Sequence, residues 1–338
     1  MKVGTGRQRP TLATIAELTG LSMSTISLSL RGGGNLREET KQRIAEAARQ
    51  IGYVPDRAGV RLRTGKTNVI ALVLDGQGDS IDFARRMIQG IGAGLKGSRY
   101  HLTVMPTFDA QESISTIRYI CESRAADGII ITHTTPRDPR VQLLADGELP
   151  FVCHGRTEFF TPHAWHDFDA EGFVRLGLRR LAERGCRNVM MFSADDSTTH
   201  SHTIRRIFHA GLAEHGMTGR QVLPNEYASG EIAPVRAFGM ALARAAERPD
   251  GILVDFEIHA LALASGLRDG GVILGKELHM VSKQNSDLLA SIFPMVDGVV
   301  EDVHAEGVEL TRLLLRRIEG EEAIALQTLA LPVLRPGS

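Results

Sequence analysis

The chain has 338 residues, 43% apolar and 23% charged, a composition ordinary for globular proteins and large enough for two or three compact units. It has no run of about 18 apolar residues, and its N-terminal segment has no apolar stretch long enough for a signal peptide. We therefore expect a cytoplasmic chain without a membrane partner. The three cysteines lack CxxC spacing, which favours reduced thiols over a metal or redox centre.

Charge is distributed unevenly along the chain. Residues 1–66 contain twelve Lys and Arg against five Asp and Glu, a net charge of +7, whereas the remaining 272 residues carry −8. A basic segment attached to an acidic body is typical of a protein whose first segment meets the phosphates of a nucleic acid.

The first 50 residues have the pattern of three short helices. Thr11 is placed to cap a helix over Leu12–Thr19, which Gly20 ends, and Ser22 to cap a second helix over residues 23–30. A third helix is predicted over Glu38–Gln50. Two helices joined by a short glycine turn form the helix-turn-helix pattern of DNA-binding proteins.

From Asn68 onward, short apolar runs alternate with helical segments, which predicts α/β units with doubly wound parallel sheets. About 270 residues are too many for one such sheet, so we expect two lobes with a ligand cleft at the carboxyl ends of their strands. The predicted strands are 69–74, 102–105, 128–131, 151–153, 189–192, 251–254 and 279–281. The predicted helices include 81–95, 171–183, 236–246 and 303–318.

Several common catalytic motifs are absent from the sequence. A GxGxxG-like spacing at 90–97 continues the helical stride of the preceding apolar residues, so it predicts a closely packed helix rather than a dinucleotide site. We find no GxSxG, HExxH or phosphate-binding loop, and we expect neither an enzyme nor a bound cofactor or metal. An exported binding protein is the other class such a core could form, but the basic head argues against it.

The segments TLATIAELTGLSMSTISLSL and GYVPDRAGVRLRTGKTNVIALVL strongly resemble the lactose-repressor (LacI) family of bacterial transcriptional regulators. Within that family, the chain is similar to the branch that regulates α-glucoside or oligosaccharide uptake, because it contains the segments VSKQ, PFVCHGRT and HAWHDFD. The resemblance implies a helix-turn-helix domain over 1–56, a hinge over 57–67, and a core similar to type I periplasmic binding proteins over 68–338. It further implies an N-lobe of about 68–166 and 302–326, and a C-lobe of about 167–301 and 327–338.

The resemblance also implies how the head meets DNA. The second helix would enter the major groove with Met23 and Ser24 facing base edges, while Leu62 would wedge into a minor-groove step. Leu62 packing on its own core is the alternative. Leu28 departs from the family's usual Arg, a role that Arg31 or Arg37 could take. The expected DNA-binding residues are Thr11, Ser22, Met23, Ser24, Thr25, Ser27, Arg31, Arg57, Leu62 and Arg63.

In the core, the resemblance places carboxylates, amides and cations at strand ends, where they suit the hydroxyl groups of a small molecule. Asp167 and Asp169 lie near a predicted lobe crossover, and Trp165 either stacks on a sugar or fills a loop. The expected effector-binding residues are Asp75, Gln77, Phe83, Arg156, Arg205, Glu257, Lys283, Gln284 and Glu301.

These implications describe a homodimeric repressor that reads a near-palindromic operator and is released by a sugar or oligosaccharide inducer. A purine-type corepressor that tightens operator binding is the alternative. We expect Lys283→Ala or Gln284→Ala to leave operator binding near normal while abolishing release.

Overall fold

A computed structural model describes residues 10–30, 33, 36–53, 65–75, 81–159, 162–193, 197–222, 226 and 232–338, except for the side chains of Asp75 and Ile81. The chain divides into two compact units, Met1–Thr67 and Asn68–Ser338. Among the described residues, no helix is both long enough and apolar enough to cross a bilayer.

The first unit contains the three predicted helices, α1 (Leu12–Thr19), α2 (Met23–Ser29) and α3 (Glu38–Gln50). Each helix contributes one fully buried isoleucine to a small common core, and α3 adds two alanines. Truncating such an isoleucine to alanine would cost about 2–5 kcal/mol, a large part of the stability of so small a unit. The buried residues are Ile15, Ile26, Ile44, Ala47 and Ala48.

Local chemistry sets where the first two helices begin and end. The Thr11 hydroxyl accepts a hydrogen bond from the Thr14 backbone N–H at 3.4 Å, and Gly20 ends α1 with φ of 67°. Only glycine adopts this left-handed conformation without cost, so the turn into α2 depends on Gly20. Ser22 caps α2 by accepting a hydrogen bond from the Thr25 backbone N–H at 3.1 Å.

The second unit contains two six-stranded sheets. The strands of the first sheet are β1 (Val69–Asp75), β2 (His101–Thr107), β3 (Gly128–Ile131), β4 (Phe151–His154), β5 (Ala164–Phe168) and β11 (Gln327–Ala330). Those of the second are β6 (Asn188–Phe192), β7 (Thr218–Gln221), β8 (Gly251–Val254), β9 (His279–Gln284), β10 (Asp297–Val300) and β12 (Val333–Arg335). In the first sheet all neighbouring strands are parallel, in the order β11-β5-β4-β3-β1-β2. In the second the order is β12-β10-β9-β8-β6-β7, with only β12 antiparallel to its neighbour.

Helices cover both faces of each sheet, so every sheet is the centre of a three-layer lobe. The first lobe carries α4 (Ile81–Gly94), α5 (Ala110–Ser123), α6 (Pro139–Ala145) and α12 (Val303–Ile318). The second carries α7 (Ala170–Glu183), α8 (Thr199–Glu214), α9 (Ile232–Ala243), α10 (Glu257–Asp269) and α11 (Leu288–Ile292). The expected doubly wound, two-lobed core is confirmed.

One expected lobe boundary is wrong. The sequence-based boundary assigned residues 327–338 to the second lobe, but β11 pairs with β5 in the first sheet, and the preceding Leu326 is fully buried in the first lobe's core. The chain therefore crosses between the lobes at Leu331, after β11 and before β12. The mostly apolar residues 329–334 join the end of β11 to the start of β12, so hydrophobicity alone could not locate the crossing.

The glycine-rich segment of α4 packs against α12. A Cβ atom on Gly90 would lie 2.1 Å from the backbone oxygen of His304, and one on Gly307 would lie 2.8 Å from the backbone oxygen of Met87. Real side chains do not tolerate such distances, so these two glycines let the helix backbones approach closely. The helix interpretation of this segment is confirmed, and the segment does not form a strand-to-helix phosphate loop.

His166 ties β5 to β11 and should make stability depend on pH. Its Nδ1 lies 2.8 Å from the Thr328 hydroxyl, and burial together with the nearby His154 lowers the pKa of His166 to about 4. Because the unfolded chain binds this proton more readily, stability should be fully present above pH about 6.5 and fall by up to about 3 kcal/mol as the pH drops to 4.

Denaturant unfolding at several pH values measures this effect. His166→Asn retains a hydrogen-bond donor but does not titrate, so the wild-type free energy of unfolding should fall relative to that of the variant on acidification. His101→Asn, at an exposed position of the same sheet, is the control and should parallel the wild type. Parallel curves for wild type and His166→Asn would contradict the prediction.

Candidate DNA-binding helix and ligand cleft

The N-terminal end of α2 presents a cluster of hydroxyl groups. Ser22, Met23 and Ser24 are exposed, and the side chain of Met23 is 55% accessible. The Ser22 hydroxyl lies 2.8 Å from the hydroxyls of both Ser24 and Thr25. Thr25 and Ser27 are half-buried. This end of the helix therefore combines backbone N–H groups with short polar side chains, an arrangement suited to phosphate oxygens and base edges.

The remaining predicted DNA contacts are distributed differently. Thr11 is exposed and serves as the cap of α1, and Leu28, at the position where the family usually has Arg, is 41% exposed. Four predicted DNA-binding residues lie outside the described residues: Arg31, Arg57, Leu62 and Arg63.

A cleft lies between the two lobes of the second unit, with about 690 Å³ of space unfilled by atoms, including its mouth. Its walls are formed where strands of both sheets end, the location expected for a ligand in this architecture. The lining combines phenylalanine rings with hydroxyl, imidazole, amide and charged groups. The lining residues are Phe83, His133, Thr134, His154, Gly155, Asp167, Phe168, Thr198, His200, Phe256, Lys283, Asn285 and Glu301.

Lys283 lies at the centre of a buried charge network. Its ammonium Nζ lies 3.4 Å from Asp255 Oδ1 and 3.3 Å from Glu301 Oε2, and it sits over the rings of Phe168 and Phe256 at 5.7 and 5.6 Å. Burial opposes the charge, but the two carboxylates more than offset it and raise the pKa of Lys283 above its ordinary value. Lys283 is therefore charged and neutralises two carboxylates that are almost fully buried.

Asp255 links this network to α8. His200 Nε2 lies 2.9 Å from Asp255 Oδ1. Burial by itself would raise the pKa of Asp255, yet the charges of His200 and Lys283 and their hydrogen bonds hold it well below the usual range. Asp255 is accordingly ionised and fixes both His200 and Lys283 at the cleft wall.

Two further pairs lie on the side of the first lobe. His154 Nε2 lies 2.9 Å from Glu306 Oε2, and the His154 ring is 5.4 Å from that of Phe83. Arg156 donates a hydrogen bond to Asp167 Oδ2 at 2.6 Å, and its guanidinium lies 5.4 Å from the ring centre of Trp165. In this structure Trp165 packs against Arg156 and is not a lining residue of the cleft.

Comparison with known proteins identifies the two units separately. Residues 11–56 match the profile of bacterial regulatory proteins of the lacI family. Residues 67–228 match the periplasmic binding proteins and sugar-binding domain of that family, and residues 178–338 match a periplasmic binding protein-like domain.

Full-length similarity extends over both units. The transcriptional regulator RafR of Escherichia coli is 28% identical over 340 residues, 97% of each chain. The regulator AglR of Rhizobium meliloti is 28% identical over 288 residues, covering 84% of this chain and 79% of AglR. The chain belongs to the LacI family. Proteins of this family are DNA-binding transcriptional regulators and not enzymes.

Solved structures agree on the fold. A lac repressor dimer bound to operator superimposes with a TM-score of 0.84 at 16% identity, over 98% of each chain. A complex of the regulator CelR with cellobiose gives a TM-score of 0.69 at 22% identity, over 97% of this chain and 99% of that one. These likenesses establish the two-lobed architecture around the cleft.

The predicted effector residues separate into three groups. Phe83, Lys283 and Glu301 line the cleft. The second group does not line the cleft and consists of Arg156, Arg205, Glu257 and Gln284. The third group, Gln77 and the side chain of Asp75, lies outside the described structure.

Glu257 and Gln284 have local packing roles. Glu257 accepts hydrogen bonds from the backbone N–H groups of Asn285 and Leu289, at 3.2 and 3.1 Å, and from the Ser286 hydroxyl at 2.9 Å. It therefore anchors the segment between β9 and α11. Gln284 is buried against β10, since a Cβ on Gly298 would lie 2.5 Å from the Gln284 amide oxygen.

Sequence reasoning missed several lining residues that directly follow strands. His133 and Thr134 come after β3, His154 ends β4, and Phe256 comes two residues after β8. Each stands next to a strand that the sequence did predict. Reading two or three positions beyond every predicted strand end would have found them.

Proposed function

We propose that the chain is a transcriptional repressor that a sugar, specifically an oligosaccharide, releases from its operator by binding in the cleft. The main observation in support is that the cleft walls combine hydrogen-bond acceptors, hydrogen-bond donors and flat apolar rings. Glu301 is only 4% exposed, and the Lys283 ammonium 3.3 Å from its Oε2 is shared with Asp255, so the Glu301 carboxylate can accept a further hydrogen bond. A sugar hydroxyl is a neutral donor that satisfies such an oxygen.

The other walls also suit a sugar. Asn285 supplies an amide, Thr134 and Thr198 supply hydroxyls, and the rings of Phe83 and Phe256 offer flat surfaces for the C–H faces of a sugar ring. The relative CelR is known in complex with cellobiose, which supports the assignment of a sugar ligand to this cleft.

A ligand changes DNA affinity only if it prefers one arrangement of the lobes. The lining residues come from both lobes: His133 follows a strand of the first sheet, and Lys283 belongs to a strand of the second. Glu301 stands where the chain crosses back toward the first lobe. A sugar bonded to both walls therefore stabilises a closed arrangement, and this preference is the proposed source of release.

A ligand screen tests the proposal. Purified protein is screened by thermal shift against mono- and disaccharides, including cellobiose and α-glucosides, and each hit is then titrated into a complex with an operator selected from random DNA. We expect at least one sugar to raise the melting temperature and to weaken operator binding by about 5–150-fold.

A purine corepressor is the competing function, since Phe83, Phe168 and Phe256 could also stack on a base. In that case no sugar would stabilise the protein, whereas guanine or hypoxanthine would raise the melting temperature and tighten operator binding. This result would replace the sugar proposal.

For DNA contacts, we propose that different side chains of α2 read the base sequence and position the helix on the DNA backbone. Met23→Ala is expected to change base preference at one operator position with little effect on random DNA. Thr25→Ala should weaken binding to operator and random DNA alike, by about 5-fold for one lost hydrogen bond. Anisotropy titrations with both DNAs measure this contrast. Equal losses on operator and random DNA for Met23→Ala would contradict it.

We further propose a homodimer that reads a near-palindromic site, because one recognition helix contacts only a few base pairs. The relative in the operator-bound lac repressor structure is a dimer. Sedimentation at micromolar concentration should give twice the chain mass of 36.8 kDa. A monomer that binds its operator with undiminished affinity would contradict this assignment.

A further inference from the structure

One histidine and two glutamates converge beside the cleft, although they lie far apart in the chain. His154 ends β4, Glu301 follows β10, and Glu306 lies in the first turn of α12. One ligand atom from each residue lies within 4.8 Å of the other two. The glutamates are 4% and 2% exposed, so bulk water does little to screen their mutual repulsion.

The groups around this cluster leave it short of positive charge. Lys283 contacts Glu301, but it is shared with Asp255, and Glu306 has His154 as its ion-pair partner. The second oxygen of Glu306, Oε1, is buried and has no hydrogen-bond partner among the described residues. An unsatisfied buried carboxylate oxygen costs free energy unless a further group contacts it, and a second carboxylate nearby increases that cost.

We propose that His154, Glu301 and Glu306 bind one divalent transition-metal ion, of the Zn²⁺, Mn²⁺ or Co²⁺ type. Two carboxylate oxygens and the imidazole nitrogen of His154 are donors that such ions accept, and His154 releases to solvent the proton it shares with Glu306 when the ion binds. The charge of +2 on the ion neutralises both glutamates, so Lys283 then has Asp255 alone to neutralise. Three protein ligands also leave a coordination position open, and His154 and Glu301 both line the cleft from which a ligand could reach it.

The backbone holds one of these ligands, Glu306, firmly in place. Asp302 caps α12 by accepting a hydrogen bond from the Ala305 N–H at 3.0 Å, and Gly307 is packed against Met87. The first turn of α12, which carries Glu306, is thus fixed between a cap and a close helix contact. A metal site needs this rigidity, because its ligands must already lie near their bound positions.

The test uses the full chain, stripped with a chelator and then titrated with metal alone. Co²⁺ should bind at one ion per chain with micromolar or tighter affinity and develop visible absorption bands, which Zn²⁺ should abolish by displacement. Glu306→Gln and His154→Gln should each weaken binding at least about 10-fold. Glu309→Gln is the matched control, since Glu309 lies on the same helix but pairs with Arg312, and it should bind like the wild type.

Absence of stoichiometric binding by folded wild-type protein, or equal affinities of Glu306→Gln and Glu309→Gln, would overturn the metal site. Circular dichroism confirms folding, and Glu301→Gln serves as a second variant if Glu306→Gln does not fold. The sugar screen is repeated on chelated protein, so the two proposals fail separately: a sugar that binds without metal leaves the proposed function standing.

Discussion

Replacing Lys283 with methionine is expected to lower the free energy of unfolding by about 3–5 kcal/mol, because it leaves Asp255 and Glu301 buried without their shared cation. Methionine retains most of the side-chain volume, so lost packing contributes little. In a unit of this size the melting temperature should fall by about 6–20 °C. This prediction revises the expectation that Lys283→Ala would affect only release from the operator.

Thermal and denaturant unfolding in the presence of a chelator measure the effect. Arg335→Met removes an ion pair of the same charge type from the surface, where Arg335 and Asp287 are 41% and 82% exposed, and should cost less than about 1 kcal/mol. The triple variant Lys283→Met, Asp255→Asn, Glu301→Gln should recover most of the loss. If Lys283→Met is as stable as Arg335→Met, the network does not stabilise the lobe.

Most of the fold could be predicted because buried parallel strands form short continuous apolar runs. Two of the strands that were missed, β5 and β10, carry polar groups on their buried faces. The sequence of β10 has the pattern of a charged turn because it contains Asp297. In the structure Asp297 is buried and pairs with Arg180 and Arg184 at 3.1 and 3.2 Å. In β5 the buried His166 breaks the apolar pattern in the same way. Only tertiary contacts make such residues acceptable in a core.

The site was predicted less completely, and the reason differs from residue to residue. Along β9, Lys283 lines the cleft and Gln284 packs on β10, since successive side chains of a strand point to opposite faces. The same period of two selects Asn285 as the next lining residue, and this could have been derived from the sequence. The use of Glu257 as a local anchor could not, because it depends on where the segment before α11 folds back.

His154 and Glu306 show the limit more sharply. His154 lies in the segment PFVCHGRT, but Glu306 lies in none of the segments that carry the resemblance, and the two meet only because α12 packs against the strands of the first sheet. A resemblance to a family carries over positions that the family shares. It does not by itself show which distant side chains the fold brings into contact.

Asn285→Ala is expected to produce a repressor that binds its operator normally but no longer responds to the sugar identified by the screen. Asn285 lines the cleft without belonging to the buried ion network, and the bond that holds its segment, to Glu257, comes from its backbone N–H. The substitution should therefore spare the fold while leaving a sugar hydroxyl without its partner. Such a loss of about 1–3 kcal/mol raises the sugar concentration for half-release by about 5–150-fold.

Operator release followed by fluorescence anisotropy, with sugar titrated into a preformed complex, measures the midpoint directly. Asn188→Ala is the matched control, since Asn188 is an exposed asparagine that begins β6, at the opposite edge of the sheet from the cleft, and it should release at the wild-type concentration. Sugar-free operator affinity should be the same in all three proteins, because an effector contact acts only when the effector is bound. An unchanged midpoint for Asn285→Ala would mean that the sugar does not contact this side chain.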